Sequence, residues 1–298
     1  MPPRFSSSDI DAIAARARQR VETLARLHPS RNGVFPARLA RAAAYVEQEF
    51  RSLGYEVHTQ RFHAQDDEFC NLVVELPGER ESSVIVIGAH YDTVIGTPGA
   101  DDNASGVAGV LELASLLQNV PLRHPVMFAA YANEEPPYFH SAHMGSRHHA
   151  RSLKDAGRRV HLMFALEMLG FADDNLKQVY PFPGLRRWGK YPERGNFISV
   201  VGNLRTRTLA RVVRDAMRSG SNIGVESLAA PGFLPPLFLS DHASYWKYGF
   251  PAVMITDTAF LRNPHYHLSS DTPETLNYTF LANVVAGIAG AVQAVDAL

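Results

Sequence analysis

The sequence predicts an α/β fold of three layers, in which helices cover both faces of a central mixed, largely parallel sheet. Short, continuous apolar runs recur along the chain, as expected of strands that are buried on both faces. Segments with helical spacing of apolar residues lie between these runs. Because such alternation is typical of parallel sheets, the two observations together indicate this fold class.

The elements are expected in the following order. Apolar spacing predicts helices over residues 10–24, 39–53, 106–118, 144–154 and 281–292. Strands are expected over residues 55–62, 71–76, 84–89, 126–132, 162–166 and 252–255. Two Pro-containing stretches, residues 173–195 and 229–236, are expected to be long loops. We expect one domain over residues 1–298, with residues 1–35 as an amino-terminal helix and linker packed on it.

Composition excludes several classes of protein. The chain has 29 Lys and Arg against 30 Asp and Glu, a net charge of -1, which argues against nucleic-acid binding and against a polybasic membrane patch. No apolar run approaches the ~20 residues that span a bilayer. The first ten residues lack the apolar core of a secretory signal, and the single cysteine, Cys70, excludes an intramolecular disulfide. We therefore expect a cytoplasmic protein, although a processed secreted chain would share these features; the oligomeric state stays open.

Residues that commonly bind metals follow three of the predicted strands. His90 and Asp92 follow the strand over residues 84–89, whereas Glu134 and Glu135 follow the next strand along the chain. A third strand ends at Glu167. In open α/β sheets, ligands bind beyond the carboxyl ends of the strands. These side chains therefore predict a metal site at one edge of the sheet.

Two further polar clusters belong to the same pattern. Residues 101–103, Asp-Asp-Asn, precede the helix over residues 106–118, where helix capping alone would explain them. Beside His90 and Glu135, metal binding becomes the favoured explanation. A second cluster, residues 265–272, follows the last predicted strand and contains two histidines and an aspartate.

Six motifs occur in a fixed order, namely GAHYDT, PGADDNASG, NEEP, LEM, SDH and YHLSSDTPETL. In this order they resemble the zinc aminopeptidases with a co-catalytic metal pair, the family of the bacterial leucyl-type aminopeptidases. Relatives of that family include glutamate carboxypeptidase II, the glutaminyl cyclases and the ectodomain of transferrin receptor. The resemblance covers about residues 36 to 298. It implies a fold of the zinc-exopeptidase type, two Zn²⁺ ions that Co²⁺ or Mn²⁺ can replace, and a short peptide or amino-acyl substrate.

The resemblance also implies a role for each residue that matches a motif. The implied metal ligands, with Asp102 bridging the two ions, are His90, Asp102, Glu135, Glu167 and His267. Glu134 is implied as the general base, Asp92 as the residue that orients the His90 imidazole, and Tyr266 as a group that helps to stabilise the oxyanion. The better-known enzymes have Asp at the position of Glu167, whose carboxylate reaches one methylene further.

Neighbouring residues have two possible roles each. Asp101 is expected to cap the helix or to face solvent. A polar loop and the following helix, rather than a second metal site, are expected to account for the histidines at 140, 143, 148 and 149. Asp241 and His242 either cap a helix or lie near the substrate. A substrate pocket or plain loop packing explains Tyr138, Phe139, Phe182, Trp188 and Phe233. Surface solvation or binding of a substrate carboxylate explains Arg186, Arg187 and Arg194.

The leading hypothesis is an exopeptidase that removes the amino-terminal residue of short peptides, using water activated by two zinc ions and Glu134 as base. The first alternative is a single-zinc glutaminyl cyclase. Cyclases of this family carry Trp before the last ligand histidine, so Tyr266 favours the peptidase. The second alternative is a non-catalytic binding domain, but relatives of that kind have lost ligands that this chain keeps.

Overall fold

The computed structural model describes residues 5–27, 30–80, 82–181, 184, 191–231, 234 and 237–298. Its helices are α1 (Ser7–Ala25), α2 (Pro36–Ser52), α3 (Gly106–Leu117), α4 (Gly145–Asp155), α5 (Arg207–Gly220), α6 (His242–Lys247) and α7 (Tyr278–Asp296). Its strands are β1 (His58–Ala64), β2 (Asp67–Leu76), β3 (Val84–His90), β4 (Val126–Tyr131), β5 (Val160–Glu167), β6 (Asp173–Lys177), β7 (Arg194–Gly195), β8 (Phe197–Asn203), β9 (Gly224–Ala230) and β10 (Ala252–Thr256).

Eight of these strands form one sheet in the order β1-β2-β4-β3-β5-β10-β8-β9. The four strands at its centre, β4, β3, β5 and β10, run parallel to one another. The pairs β1/β2, β2/β4 and β10/β8 are antiparallel, which makes the sheet mixed. The predicted fold class is therefore confirmed, and the carboxyl ends of the central strands meet at one edge.

Apolar side chains on both faces of the central strands form the core. In β3, Ile85 and Ile87 belong to the larger apolar cluster, which α1, α2, α3, α5 and α7 cover. Val84 and Val86 point to the other face, where α4 and α6 complete a smaller cluster. Because successive side chains of a strand alternate between faces, a continuous apolar run is what this burial requires.

The amino-terminal helix α1 packs against α7 and α3. Its start is capped, since Ser6 accepts from the backbone N–H of Asp9 and the Asp9 carboxylate accepts from that of Ser6. Arg20 on the inner side of α1 is buried and forms ion pairs with Glu112 of α3 and Glu49 of α2. The helix is thereby joined to the element that follows the turn bearing Asp102.

Two expectations about the second half of the chain need correction. Residues 173–195 are not all loop, because β6 and β7 pair antiparallel there, and the expected loop over residues 229–236 begins inside β9. The predicted elements also lacked β8, α5 and β9. β6 consists of exposed and half-buried residues and β9 has a single fully buried one, so neither shows a clear apolar alternation.

Helix α7 is, among the described residues, the one long and apolar enough to cross a membrane by length and composition. Yet 83% of its apolar window is buried inside the fold, against α5 and α1. A core helix of a globular domain passes the same test.

Candidate metal centre

The five residues implied as metal ligands come together at the carboxyl edge of the central strands. His90 is the last residue of β3 and Glu167 the last residue of β5. Glu135 follows β4 in a loop, as the sequence predicted. Asp102 lies in the irregular turn Ala100–Ser105 before α3, and His267 lies in the loop after β10.

The ligand atoms form two groups that share Asp102. In the first group, His90 Nε2 lies 3.4 Å from Asp102 Oδ1 and 3.3 Å from Glu167 Oε2. In the second, His267 Nε2 lies 3.1 Å from Asp102 Oδ2 and 3.6 Å from Glu135 Oε1. Within each group all ligand atoms are within 4.8 Å of one another, a spacing that could hold an ion. The two oxygens of Asp102 therefore face different groups.

Glu134 lies in the same cluster. Its Oε2 is 4.0 Å from His90 Nε2, and Glu134, Glu135 and His90 also form a compact set of ligand atoms. Both glutamates are buried, and both lie outside helices, so neighbouring side chains can point in different directions.

Asp92 organises this corner more extensively than the motif suggested. Its Oδ1 lies 3.5 Å from His90 Nδ1. The same carboxylate accepts the backbone N–H of Glu134 at 3.1 Å and that of Glu135 at 2.9 Å. Asp92 therefore holds the loop of both glutamates against the end of β3.

Negative charge is concentrated in a buried space. Burial raises the pKa of Glu134 well above its usual value; His90 opposes this, while Glu135 and Glu167 add to it. Burial also raises the pKa of Glu135, with Asp102 adding to the effect. Burial lowers the pKa of His90, but the carboxylates of Glu167 and Glu134 outweigh it and leave the pKa well above the usual value. A cation in this space would stabilise the ionised carboxylates.

The donor atoms fit a divalent metal ion. His90 Nε2, Asp102 Oδ1 and Glu134 Oε1 are buried and make no hydrogen bond within the described part of the chain. Buried polar atoms without partners are uncommon, and atoms that bind a metal are one explanation for them. Two imidazoles with several carboxylates suit zinc, and also manganese, cobalt or iron.

Residues outside the predicted set hold the ligands in place. Ser240 Oγ donates to Glu167 Oε2 at 2.6 Å. The Asp271 carboxylate accepts the backbone N–H groups of Asp101 at 2.9 Å and Asp102 at 3.1 Å. Ser240 belongs to the motif SDH and Asp271 to the motif YHLSSDTPETL, so their places in these motifs were the sequence signal that could have identified them.

A cleft of about 410 Å³ opens over the candidate ligands, and Tyr266 and Phe139 lie on its wall. The Tyr266 ring stacks on His267, with ring centroids 3.7 Å apart. Next to the cleft is a mainly apolar cavity, which shares Glu167, Leu239 and Tyr266 with it. Apolar residues on its wall include Phe197, Val201, Leu228, Leu237 and Met254.

The expectation for Asp101 is wrong. Asp101 is fully buried, and its carboxylate accepts from the Gly170 N–H at 2.9 Å and Asn263 Nδ2 at 2.7 Å instead of facing solvent. Of the two roles open to Asp241, capping is not seen, because its side chain makes no capping hydrogen bond to α6. His149 lies in the expected helix, where it is buried with its Nδ1 2.6 Å from the Tyr245 hydroxyl.

The predicted rim residues are placed only in part. Phe139 lies in the cleft, whereas Tyr138 is buried against Phe69. Arg194 is exposed and donates to the Asn175 carbonyl. The remaining candidates lie outside the described residues, namely Phe182, Arg186, Arg187, Trp188 and Phe233.

Comparison with known proteins identifies the family. Residues 71–292 match the profile of Peptidase family M28. The chain belongs to this family. This M28 chain is 45% identical over 259 residues to the uncharacterized protein YfbL of Escherichia coli (strain K12), covering 84% of the chain and 78% of that protein. It is 31% identical over 229 residues to a probable leucine aminopeptidase of Trichophyton verrucosum (strain HKI 0517), covering 72% of the chain and 54% of that protein.

The M28 chain spans between 52% and 60% of the length of the fungal leucine aminopeptidases it matches. Among solved structures, LapA of Legionella pneumophila superposes with a TM-score of 0.75 at 21% identity, covering 98% of the chain and 78% of LapA. A glutaminyl cyclase of Fimbriiglobus ruber superposes with a TM-score of 0.66 at 22% identity, covering 94% and 95%. These likenesses support the fold.

Proposed function

We propose that this M28 chain is a zinc-dependent aminopeptidase that holds two Zn²⁺ ions and removes the first residue of short peptides. The observation that carries the proposal is the pair of ligand groups that share Asp102. His90 and Glu167 would hold one ion, and His267 and Glu135 the other. Bound at such a site, metal ions make water more acidic and polarise the carbonyl of the substrate.

The side chains around the ligands supply the remaining functions. Glu134 Oε1 is buried and, within the described residues, free of hydrogen bonds, so it can hold a proton taken from water and deliver it to the leaving amine. Asp92 keeps that side chain in place through the two backbone N–H groups it accepts. Tyr266 lies on the cleft wall, and in this proposal its hydroxyl donates to an oxygen that becomes negatively charged.

The apolar cavity beside the cleft supports a preference for a large apolar first residue. Its wall is mainly aliphatic and aromatic, the lining expected of a site that takes an apolar side chain. The carboxylate of Glu226 reaches this wall but is paired with Arg218 at 2.8 Å. The other carboxylate among the described wall residues is that of Glu167, which the proposal assigns to a metal ion, so a basic side chain would find no free acid among them.

The experiment is a substrate screen on protein of known metal content. We expect hydrolysis of amino-acyl substrates, faster with leucine or phenylalanine than with alanine or lysine, at about two zinc ions per chain. Cyclisation of an amino-terminal glutamine at one zinc per chain would instead support a glutaminyl cyclase, the activity named for one structural neighbour. If the protein catalyses neither reaction after reconstitution with zinc, the proposal is contradicted.

A further inference from the structure

The linker between α1 and α2 contacts three loops that carry candidate ligands. Arg31 is 1% exposed, and its Nε donates to the carbonyl of Tyr91 at 2.9 Å. Its Nη1 and Nη2 donate to the carbonyls of Pro98 and Gly99, each at 2.6 Å. One guanidinium therefore joins the loop after His90 to the loop before Asp102.

The next residue extends these contacts to the third loop. Asn32 Nδ2 donates to the carbonyl of Thr93 at 2.6 Å and to that of Pro136 at 3.0 Å. Pro136 directly follows Glu135. Both Arg31 and Asn32 precede residue 71, where the match to the family profile begins.

The geometry around Arg31 depends on a guanidinium. A fourth hydrogen bond runs from Nη1 to the carbonyl of Leu24 at 3.2 Å, so the four acceptors belong to α1 and to two ligand loops. A planar guanidinium offers five N–H groups in a fixed arrangement, whereas lysine has three on one atom. Gly99 has φ +62°, and a Cβ there would lie 2.4 Å from the Asp102 carbonyl and 3.0 Å from Arg31 Nη2. The ligand loop therefore closes tightly on the guanidinium.

The charge of Arg31 also bears on the site. Burial lowers its pKa to about 10, and the carboxylates of Asp271 and Asp102 oppose that shift, so the guanidinium stays charged at neutral pH. A buried cation next to these carboxylates reduces their mutual repulsion.

We infer that Arg31, supported by Asn32, is a positioning residue for the metal centre: it fixes the separation of the His90 and Asp102 loops. The inference rests on the proposed function, because it presupposes that those loops bind metal. Residues that orient ligands without touching the metal typically change metal affinity by ~10–100-fold when they are replaced.

The test measures the zinc dissociation constant of the full-length, metal-stripped chain by competition with a chromophoric chelator. We expect Arg31→Met and Arg31→Lys to bind zinc ~10–100-fold more weakly than the wild type. Arg20→Lys is the matched control, because Arg20 is also a buried arginine of the amino-terminal segment, paired with Glu112 and Glu49 away from the ligand loops. It is expected to lower Tm while leaving zinc affinity unchanged.

The outcomes separate this inference from the proposed function. A wild-type chain that binds no zinc would contradict the proposed function, whatever the variants do. If the wild type binds zinc and folded Arg31→Lys binds it equally well or more tightly, the positioning role is overturned. An equal loss of affinity in Arg20→Lys would overturn it too, because the effect would then follow general stability. Should Arg31→Met fail to fold, Arg31→Lys decides the question.

Discussion

Replacing Glu134 and Glu135 separately by glutamine tests how the two neighbours divide the work. The pair is well matched: each residue is 4% exposed, and each backbone N–H donates to the Asp92 carboxylate. Glutamine keeps the shape of glutamate and removes its charge, so neither substitution opens a cavity. Differences between the variants therefore report the chemistry of the two carboxylates.

Glu134→Gln is expected to keep its metal and to lose turnover. Removing a general base typically costs ~10²–10⁴ in rate, or about 2.7–5.4 kcal/mol of activation free energy. KM should change little, because the proton moves only on the way to the transition state. The nearest candidate ligand nitrogen, His90 Nε2, is 4.0 Å from its Oε2, farther than the 3.4 Å and 3.3 Å that separate it from Asp102 Oδ1 and Glu167 Oε2.

Glu135→Gln is expected to lose metal instead. Glu135 Oε1 lies 3.6 Å from His267 Nε2 in the group that includes Asp102, and a neutral amide is a much poorer zinc ligand than a carboxylate. Zinc affinity should fall by more than the ~10–100-fold typical of residues outside the ligand set. Added zinc should restore part of the activity.

The assay combines elemental analysis of dialysed protein with steady-state kinetics on one amino-acyl substrate. If Glu134→Gln loses metal and Glu135→Gln keeps it, the assignment is inverted. If both variants keep metal and full activity, the pair is not the catalytic centre, and the proposed function fails with it.

Three further predictions use the same measurements. A chelator is expected to abolish hydrolysis and lower Tm, and zinc at 100 times its Kd to restore ~2.7 kcal/mol of stability; full activity without metal would refute this. Glu167→Asp should retain more zinc than Glu167→Ala, although the shorter side chain is expected to lose the Ser240 hydrogen bond; equal zinc content would show that Glu167 is not a ligand. Asp92→Asn leaves one acceptor oxygen for two N–H groups, so kcat should fall ~10–100-fold with the fold intact; unchanged kcat would contradict the positioning role.

The central sheet and the meeting of the candidate ligands could be predicted because both follow from local sequence. A strand buried on both faces needs a continuous apolar run, and β3, β4, β5 and β10 each have one. Parallel strands end at the same edge, so His90 and Glu167 had to lie close together. The half-buried edge strand β9 lacks that signal and was not predicted.

The orientation of the ligands could not be predicted, because distant parts of the chain provide it. Asp92 reaches the Glu134 N–H across 42 residues, and Asp271 reaches the Asp102 N–H across 169. Arg31 donates only to backbone carbonyls in its four hydrogen bonds here, which any residue type can offer, so no partner residue in the sequence points to it.

Residues that bind the metal and residues that hold those ligands in place are different parts of the chain, so substitutions at the two kinds of position should have different effects. A ligand change removes a metal-binding atom, whereas a change at Arg31, Ser240 or Asp271 keeps every such atom in the protein and shifts its position. Glu167 illustrates the difference: its carboxylate is one methylene longer than aspartate, and Ser240 holds its Oε2 at 2.6 Å, leaving that oxygen 3.3 Å from His90 Nε2. Ser240→Ala alone should therefore lower the affinity for the zinc ion near His90 and leave the affinity for the ion near His267 unchanged. If a zinc titration shows the affinity for both ions lowered equally, the two ligand groups are coupled through Asp102, and the separate effect is refuted.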